Sequence, residues 1–428
     1  MTLVHIDDLM PGMVLVSALK DSGGRMLLPA GAELELGQVK TLKARGVTTL
    51  DVAFPEDLDG EGVGGGPAKA REPVLSDEVI EQSQRYLGAY FEPKMVVHPL
   101  GDALFRHATL HFAKRLASGR TLPASPFELV TSVPAAPAHV LGAAPKNAST
   151  LFAKKVQLAS LPDVYHQIVE VMQNPRSSAS DVAAMVSKDT TLSSRLLKLV
   201  NSAYFGLPAR VDSIARAITL IGTNELSTLA LGVSVISTFR SVPAGLISMK
   251  GFWRHSIACG IFARLLAASR GGLPDETYFV GGLLHDVGRM VLLQLIPEAY
   301  GEVIRRARTE RKSLYDSERE LLGYDHSEVG TLLCREWRLS STLETMVGQH
   351  HAPVVGGHKP ECSILHVADL LAKVHLLGEN DGGCVMLPGI DDGAWRSLQM
   401  EPATVVGLFG HAHDQIDAVT RLFLSDGE

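Results

Sequence analysis

The chain of 428 residues, 46% hydrophobic and 20% charged, has the composition of a folded polypeptide and the length for about three domains of ~150 residues. Its 40 Lys and Arg against 47 Asp and Glu leave a net charge of −7, which speaks against DNA as a partner, and no apolar run approaches the ~18–20 residues of a membrane helix. The start, Met1-Thr2-Leu3-Val4-His5, has neither the basic nor the apolar stretch of a secretory signal, and Cys259, Cys334, Cys362 and Cys384 form no Cys-x-x-Cys pair. A cytoplasmic chain with reduced, mostly buried thiols is expected, away from any membrane.

In chain order, residues 1–53 carry short β-like pieces between turn residues, such as Met13-Val14-Leu15-Val16 after Pro11-Gly12, and predict a small β-rich N-terminal module. The Gly-rich stretch within 54–75 predicts a flexible linker. Residues 76–121 place Val79, Ile80, Tyr86 and Leu87, then Leu104, Leu110, Phe112 and Leu116, at helical spacing and predict a helical pair. A Pro/Ala-rich second linker follows at 122–150. From 151 to 428, apolar periodicity near 3.6 with Gly or Pro punctuation and no sustained alternation predicts an all-α domain with a C-terminal helical extension. Within it, Ser180 and Asp181 are expected to cap a helix carrying Val182, Met185 and Val186, and Asn201 to Gly206 to end the next one.

Ten of the 16 histidines lie from His255 onward. His255 shares a helix face with Cys259 and Phe262, so its imidazole needs a partner. His285 and Asp286 follow Gly281-Gly282-Leu283-Leu284, where two glycines allow close approach of another helix. Asp369 stands inside the apolar run from Ile364 to Ala372, and a carboxylate there needs a cation or strong donors. Singly, each of these reads as a satisfied core histidine or a helix-capping aspartate. Together with His326 and the pair His350-His351 they form the mixed N/O set that suits Fe, Mn or Zn. His107 and His111 also have i, i+4 spacing but lack the Glu of a metalloprotease helix, and the Arg305–Lys312 cluster, interleaved with acids, reads as a solvated face.

The order His255, His285-Asp286, Asp369 resembles the HD superfamily of metal-dependent phosphohydrolases. The segments Ser160-Leu161-Pro162-Asp163-Val164, Val186 to Leu192, Leu196 to Tyr204 and Ala217 to Gly222 are similar to the HDOD family, the HD-related output domain of bacterial signalling proteins, over about 154–375. Leu9-Met10-Pro11-Gly12-Met13 and Gly24 to Gly31 resemble the small β-rich segment that precedes HD-GYP cyclic-diguanylate phosphodiesterases. The resemblance implies an all-helical HD-like bundle, a metal site at His255, His285, Asp286, His326, His350, His351 and Asp369, and a regulatory role exerted through a protein partner. It also implies an alternative, a metal-dependent phosphohydrolase acting on a cyclic dinucleotide or other phosphodiester, with Arg289 neutralising developing charge. Two departures weaken that alternative: Ala352-Pro353 follows His351 in place of Gly-Tyr-Pro, and Arg289 stands where a Lys is expected.

Overall fold

The computed structural model describes residues 2–5, 14–20, 26–32, 34, 49–53, 75–123, 139–153, 167–168, 170–171, 177–202, 204–207, 209–239, 246–270, 275–353, 359–379 and 386–424. These divide into two compact units, Met1–Glu72 with Leu199–Val211, and Pro73–Lys198 with Asp212–Glu428.

Among the described residues the first unit holds five short strands: β1 (Thr2–His5), β2 (Val14–Leu15), β3 (Leu19–Lys20), β4 (Met26–Leu28) and β5 (Thr49–Ala53). β5 runs antiparallel between β1 and β2, and β3 pairs antiparallel with β4. Leu50 and Val52, two residues apart and therefore on one face of β5, are both buried. In the 199–211 segment the Asn201 side chain bridges the backbone of Val211, donating to its carbonyl and accepting from its N–H, both at 2.7 Å. The expected module at 1–53 thus differs from this unit, which reaches residue 72 and includes 199–211. Its short strands do not establish a β-rich domain, and the architecture the fold establishes is helical. The Gly-rich residues 54–74 and the Ser160–Val164 motif lie outside the described residues.

The helices are α1 (Asp77–Leu87), α2 (Pro93–Val97), α3 (Pro99–Ala117), α4 (His139–Ala143), α5 (Ala148–Ala153), α6 (Ala179–Ser187), α7 (Thr190–Val200), α8 (Ile214–Ile221) and α9 (Thr223–Thr238). They continue with α10 (Met249–Arg270), α11 (Asp275–Leu284), α12 (Val287–Leu295), α13 (Pro297–Glu310), α14 (Leu314–Leu322) and α15 (His326–Glu336). The last four are α16 (Ser341–Gln349), α17 (Pro360–His375), α18 (Asp392–Leu398) and α19 (Pro402–Leu424). α10 is the axis of the second unit. Its middle, from Ser256 to Ala267, is buried on every side, as expected of a helix without a polar face, and it packs against α11, α17 and α19.

Glycine makes the tightest of these crossings possible. A Cβ on Gly282 of α11 would lie 2.4 Å from the Gly260 Cα of α10, and one on Gly288 of α12 would lie 2.0 Å from the His326 carbonyl oxygen that opens α15. Both backbones come closer than any side chain allows, which seats α11 on α10 and the start of α12 on the start of α15.

Three expectations are corrected. The helical pair at 76–121 does not stand apart: α1 packs on α3, and α3 in turn packs on α17 and α19, with the His107 ring 4.3 Å from that of Phe409. The tract at 122–150 is not all linker, because α4 lies in it and α5 runs across the 150/151 boundary. The cap of α6 is Ser178 rather than Ser180, with Asp181 completing a capping box at its third position. α7 ends at Val200, just before the expected Asn201 stop. Among the described residues no single helix is long and apolar enough to cross a membrane; α8 and α9 pass on length and composition only as a pair bent by 118°.

Candidate metal centre

Five elements deliver the side chains. α10 presents His255 and, one turn later, Cys259 on the same face. α11 closes at Leu284, and His285-Asp286 occupy the break before α12, where the glycine contacts hold the chain. Asp325 caps α15 through the N–H groups of Ser327 and Glu328, which fixes His326 as its first residue. His350 and His351 follow the last turn of α16, and Asp369 lies inside α17.

The structure brings all seven sequence-predicted residues into one cluster. His255 Nε2 is 3.2 Å from His285 Nε2 and 3.1 Å from Asp369 Oδ1. His285 Nε2 is 3.4 Å from Asp369 Oδ1 and 3.6 Å from Asp286 Oδ1. On the other side of Asp286, the same Oδ1 is 3.0 Å from His326 Nε2 and 3.8 Å from His350 Nε2, while His351 Nε2 reaches His326 Nε2 at 2.9 Å. His255 and His351 are partly exposed; the other five are buried.

Three of the imidazoles are aimed by their other nitrogen. Nδ1 of His285 faces the Gly282 carbonyl at 2.6 Å, Nδ1 of His350 the Val347 carbonyl at 2.7 Å, and Nδ1 of His326 the Glu318 carboxylate at 2.5 Å. Each is set to donate through Nδ1–H to an oxygen, which turns Nε2 into the cluster as the end that can ligate once it is free of a proton, the arrangement that orients histidine ligands around a metal. His350 Nε2 and Asp369 Oδ1 are buried there without a hydrogen bond of good geometry, so the donor set fits a divalent ion.

Charge is balanced within the protein. Burial opposes ionisation of Asp286, but His285, Arg289 and His326 outweigh it and hold the carboxyl well below the usual carboxylate range. Burial likewise opposes ionisation of Asp369, and Lys373, His255 and His285 overcome it. Burial works against a charged His326, yet Glu318 and Asp286 on its two sides lift it to about 10. His350, by contrast, is pushed down to about 3 by burial and by the neighbouring His285 and His326. Arg289, Lys373 and the imidazoles of His285 and His326, both held above the usual histidine range by neighbouring carboxylates, thus face Asp286, Asp369 and Glu318. An entering ion must take the place of the His326 proton.

Residues that sequence reasoning missed support this cluster. Glu318 also accepts from the His326 N–H at 2.9 Å and from the Tyr300 hydroxyl at 2.6 Å. Lys373 Nζ sits 2.5 Å from Asp369 Oδ2, an i, i+4 pairing that the helix spacing alone could have revealed. Arg289, expected to meet a developing charge, instead holds Asp286 Oδ2 at 2.7 Å and lies over the Phe252 ring, 5.6 Å from its centre. His107 and His111 take no part in the cluster.

An all-helical unit that gathers His, His-Asp, His, His-His and Asp in this chain order has the HD-like fold. More narrowly, residues 158–353 match the HDOD domain family, and the chain carries an HDOD domain. A protein of uncharacterised function from Treponema pallidum (strain Nichols) is 30% identical over 198 residues, 45% of this chain and 37% of that one, so the chain matches only about a third of that relative's length. An HDOD domain protein of unknown function from Geobacter sulfurreducens superposes with a TM-score of 0.55 at 22% identity, covering 65% of this chain and 97% of that one. A candidate phosphohydrolase from Shewanella amazonensis SB2B gives a TM-score of 0.52 at 22% identity, covering 65% and 100%. At these identities the structural likeness bears on the fold.

Proposed function

We propose that the chain is a cytoplasmic regulatory protein of bacterial signal transduction whose HDOD domain acts through a protein partner and holds Fe, Mn or Zn at the cluster. The observation that carries the regulatory reading is the Asp286–Arg289 pair. Arg289 is buried, bound to Asp286 and covered by Phe252, so the cation that a phosphodiester would need is already committed to the protein interior. His326, His285 and His350, with Nδ1 fixed by oxygens, and Asp286 are the side chains that would hold an ion. It would supply fixed positive charge to a core otherwise balanced by a proton.

A second reading, a phosphohydrolase acting on a cyclic dinucleotide or other phosphodiester, is favoured by the partial exposure of His255 and His351, which leaves one edge of the cluster open. There a bound ion would supply Lewis acidity. The test is the purified chain loaded with Mn(II) or Fe(II) and assayed on cyclic diguanylate and bis(p-nitrophenyl) phosphate beside Asp286→Ala. No turnover above the variant is expected. Turnover that Asp286→Ala abolishes would put the hydrolase first.

A further inference from the structure

The cluster has two lobes with different donor chemistry. One consists of nitrogen and oxygen only, Asp286 with His326, His350 and His351. The other contains sulfur: Cys259 Sγ, a His285 nitrogen and an Asp369 oxygen lie within 4.8 Å of one another, and all three residues are buried. Cys259 stands one turn beyond His255 on α10, so the helix that supplies a first-rank imidazole presents the thiol to the same place.

Asp369 shows which atom is available. Its Oδ2 is held by Lys373 at 2.5 Å, whereas Oδ1 receives no hydrogen bond of good geometry although it is buried and two imidazole nitrogens lie 3.1 and 3.4 Å away. A tetrahedral ion with bonds of about 2.0–2.3 Å keeps its ligand atoms roughly 3.3–3.8 Å apart. His255 Nε2, His285 Nε2 and Asp369 Oδ1 stand 3.2, 3.1 and 3.4 Å from one another, close to those edges, and Cys259 Sγ lies within 4.8 Å of the His285 and Asp369 ligand atoms. A buried orphaned carboxylate oxygen, two convergent imidazole nitrogens and a thiol are a ligand set rather than a chance of packing.

We propose that Cys259 is a thiolate ligand of a tetrahedral Cys259–His255–His285–Asp369 position, which makes this lobe selective for Zn(II) or Fe(II) over Mn(II), while the Asp286–His326–His350–His351 lobe takes a harder ion. The inference rests on the metal-holding reading above and goes beyond it by giving the two positions different chemistry. Thiolate sulfur prefers the softer ions, and binding transfers the Cys259 proton to solvent as the S–metal bond forms.

Cobalt(II) reports the difference optically. The full-length chain, stripped of metal, is titrated anaerobically with Co(II), and the absorption is followed in the near ultraviolet, where thiolate-to-cobalt charge transfer appears, and in the visible, where ligand-field bands appear. The expected result is intense charge transfer in the parent and in Cys334→Ser, and its loss in Cys259→Ser with the visible bands retained. Visible bands without charge transfer in the parent would overturn the thiolate ligand and leave the metal-holding reading intact. Absence of any cobalt bands would overturn both. If Cys259→Ser does not fold, X-ray absorption of the zinc-loaded parent decides, because a first shell of N and O scatterers alone sinks the proposal.

Discussion

Glu318 grips His326 twice, accepting from its backbone N–H at 2.9 Å and standing 2.5 Å from its Nδ1, while its other oxygen accepts from Tyr300. The imidazole therefore has one orientation, with Nε2 3.0 Å from Asp286. Loss of such an outer partner typically lowers metal affinity about 10–100-fold by freeing the ring and weakening its basicity. Glu318→Gln keeps the shape and the acceptor oxygen but not the charge, so the same loss is expected in a zinc competition titration against a chromogenic chelator. Unchanged affinity would remove Glu318 from the centre.

The α10–α11 crossing gives a second expectation. A methyl group on Gly282 has no room 2.4 Å from Gly260, so Gly282→Ala must push the helices apart, at a cost of about 1–3 kcal/mol for overpacking. Because His285 hangs from the Gly282 carbonyl, the same shift misaims its Nε2. Urea unfolding should show a lower midpoint, with zinc affinity falling alongside. Lower stability at full affinity would show that the crossing does not position His285.

Much of the cluster was legible because its members are rare residue types in improbable places: a carboxylate within the apolar run of α17, and an imidazole and carboxylate side by side after two glycines. Glu318 was not legible, because α14 is rich in charged residues and an acid there has the pattern of a solvated face. Only the fold turns it inward beneath Tyr300. The Arg289–Asp286 pair was hidden for a related reason, since sequence shows that a cation is near Asp286 but not that the two are bound. The helical pair was placed apart because its partners, α17 and α19, lie about 250 to 300 residues further along the chain, and amphipathic periodicity tells that a face is buried without telling by what.

That packing makes stability pH-dependent through His107. Burial, with a smaller contribution from the neighbouring His111, pushes His107 down from 6.5 to about 4. Between those values the unfolded chain binds the proton and the folded one does not. Stability is therefore complete above about 6.5 and is lost as pH falls toward 4, by up to about 1.4 kcal/mol per pH unit. Thermal unfolding of the parent and of His107→Leu across this window checks it: the variant should lose less stability on acidification. Equal slopes would mean that His107 accepts its proton while folded.

Lys373 and a metal ion compete for the same charge. In the metal-free chain Lys373 neutralises Asp369 at 2.5 Å, with both side chains largely shielded from water. Removing it in Lys373→Ala leaves a buried carboxylate without its main counter-charge, which destabilises by about 3–5 kcal/mol. The same change gives the centre one more net negative charge and frees Asp369 Oδ2, so a divalent cation should bind more tightly. Stabilisation by a ligand grows as RT ln(1 + [L]/Kd), and at equal zinc concentration the variant should gain more on metal addition than the parent does. Thermal melts with and without Zn(II) measure both effects: a lower midpoint for metal-free Lys373→Ala, and a larger upward shift on adding zinc. If zinc shifts the two proteins equally, Asp369 is no ligand and Lys373 is only its structural counter-ion.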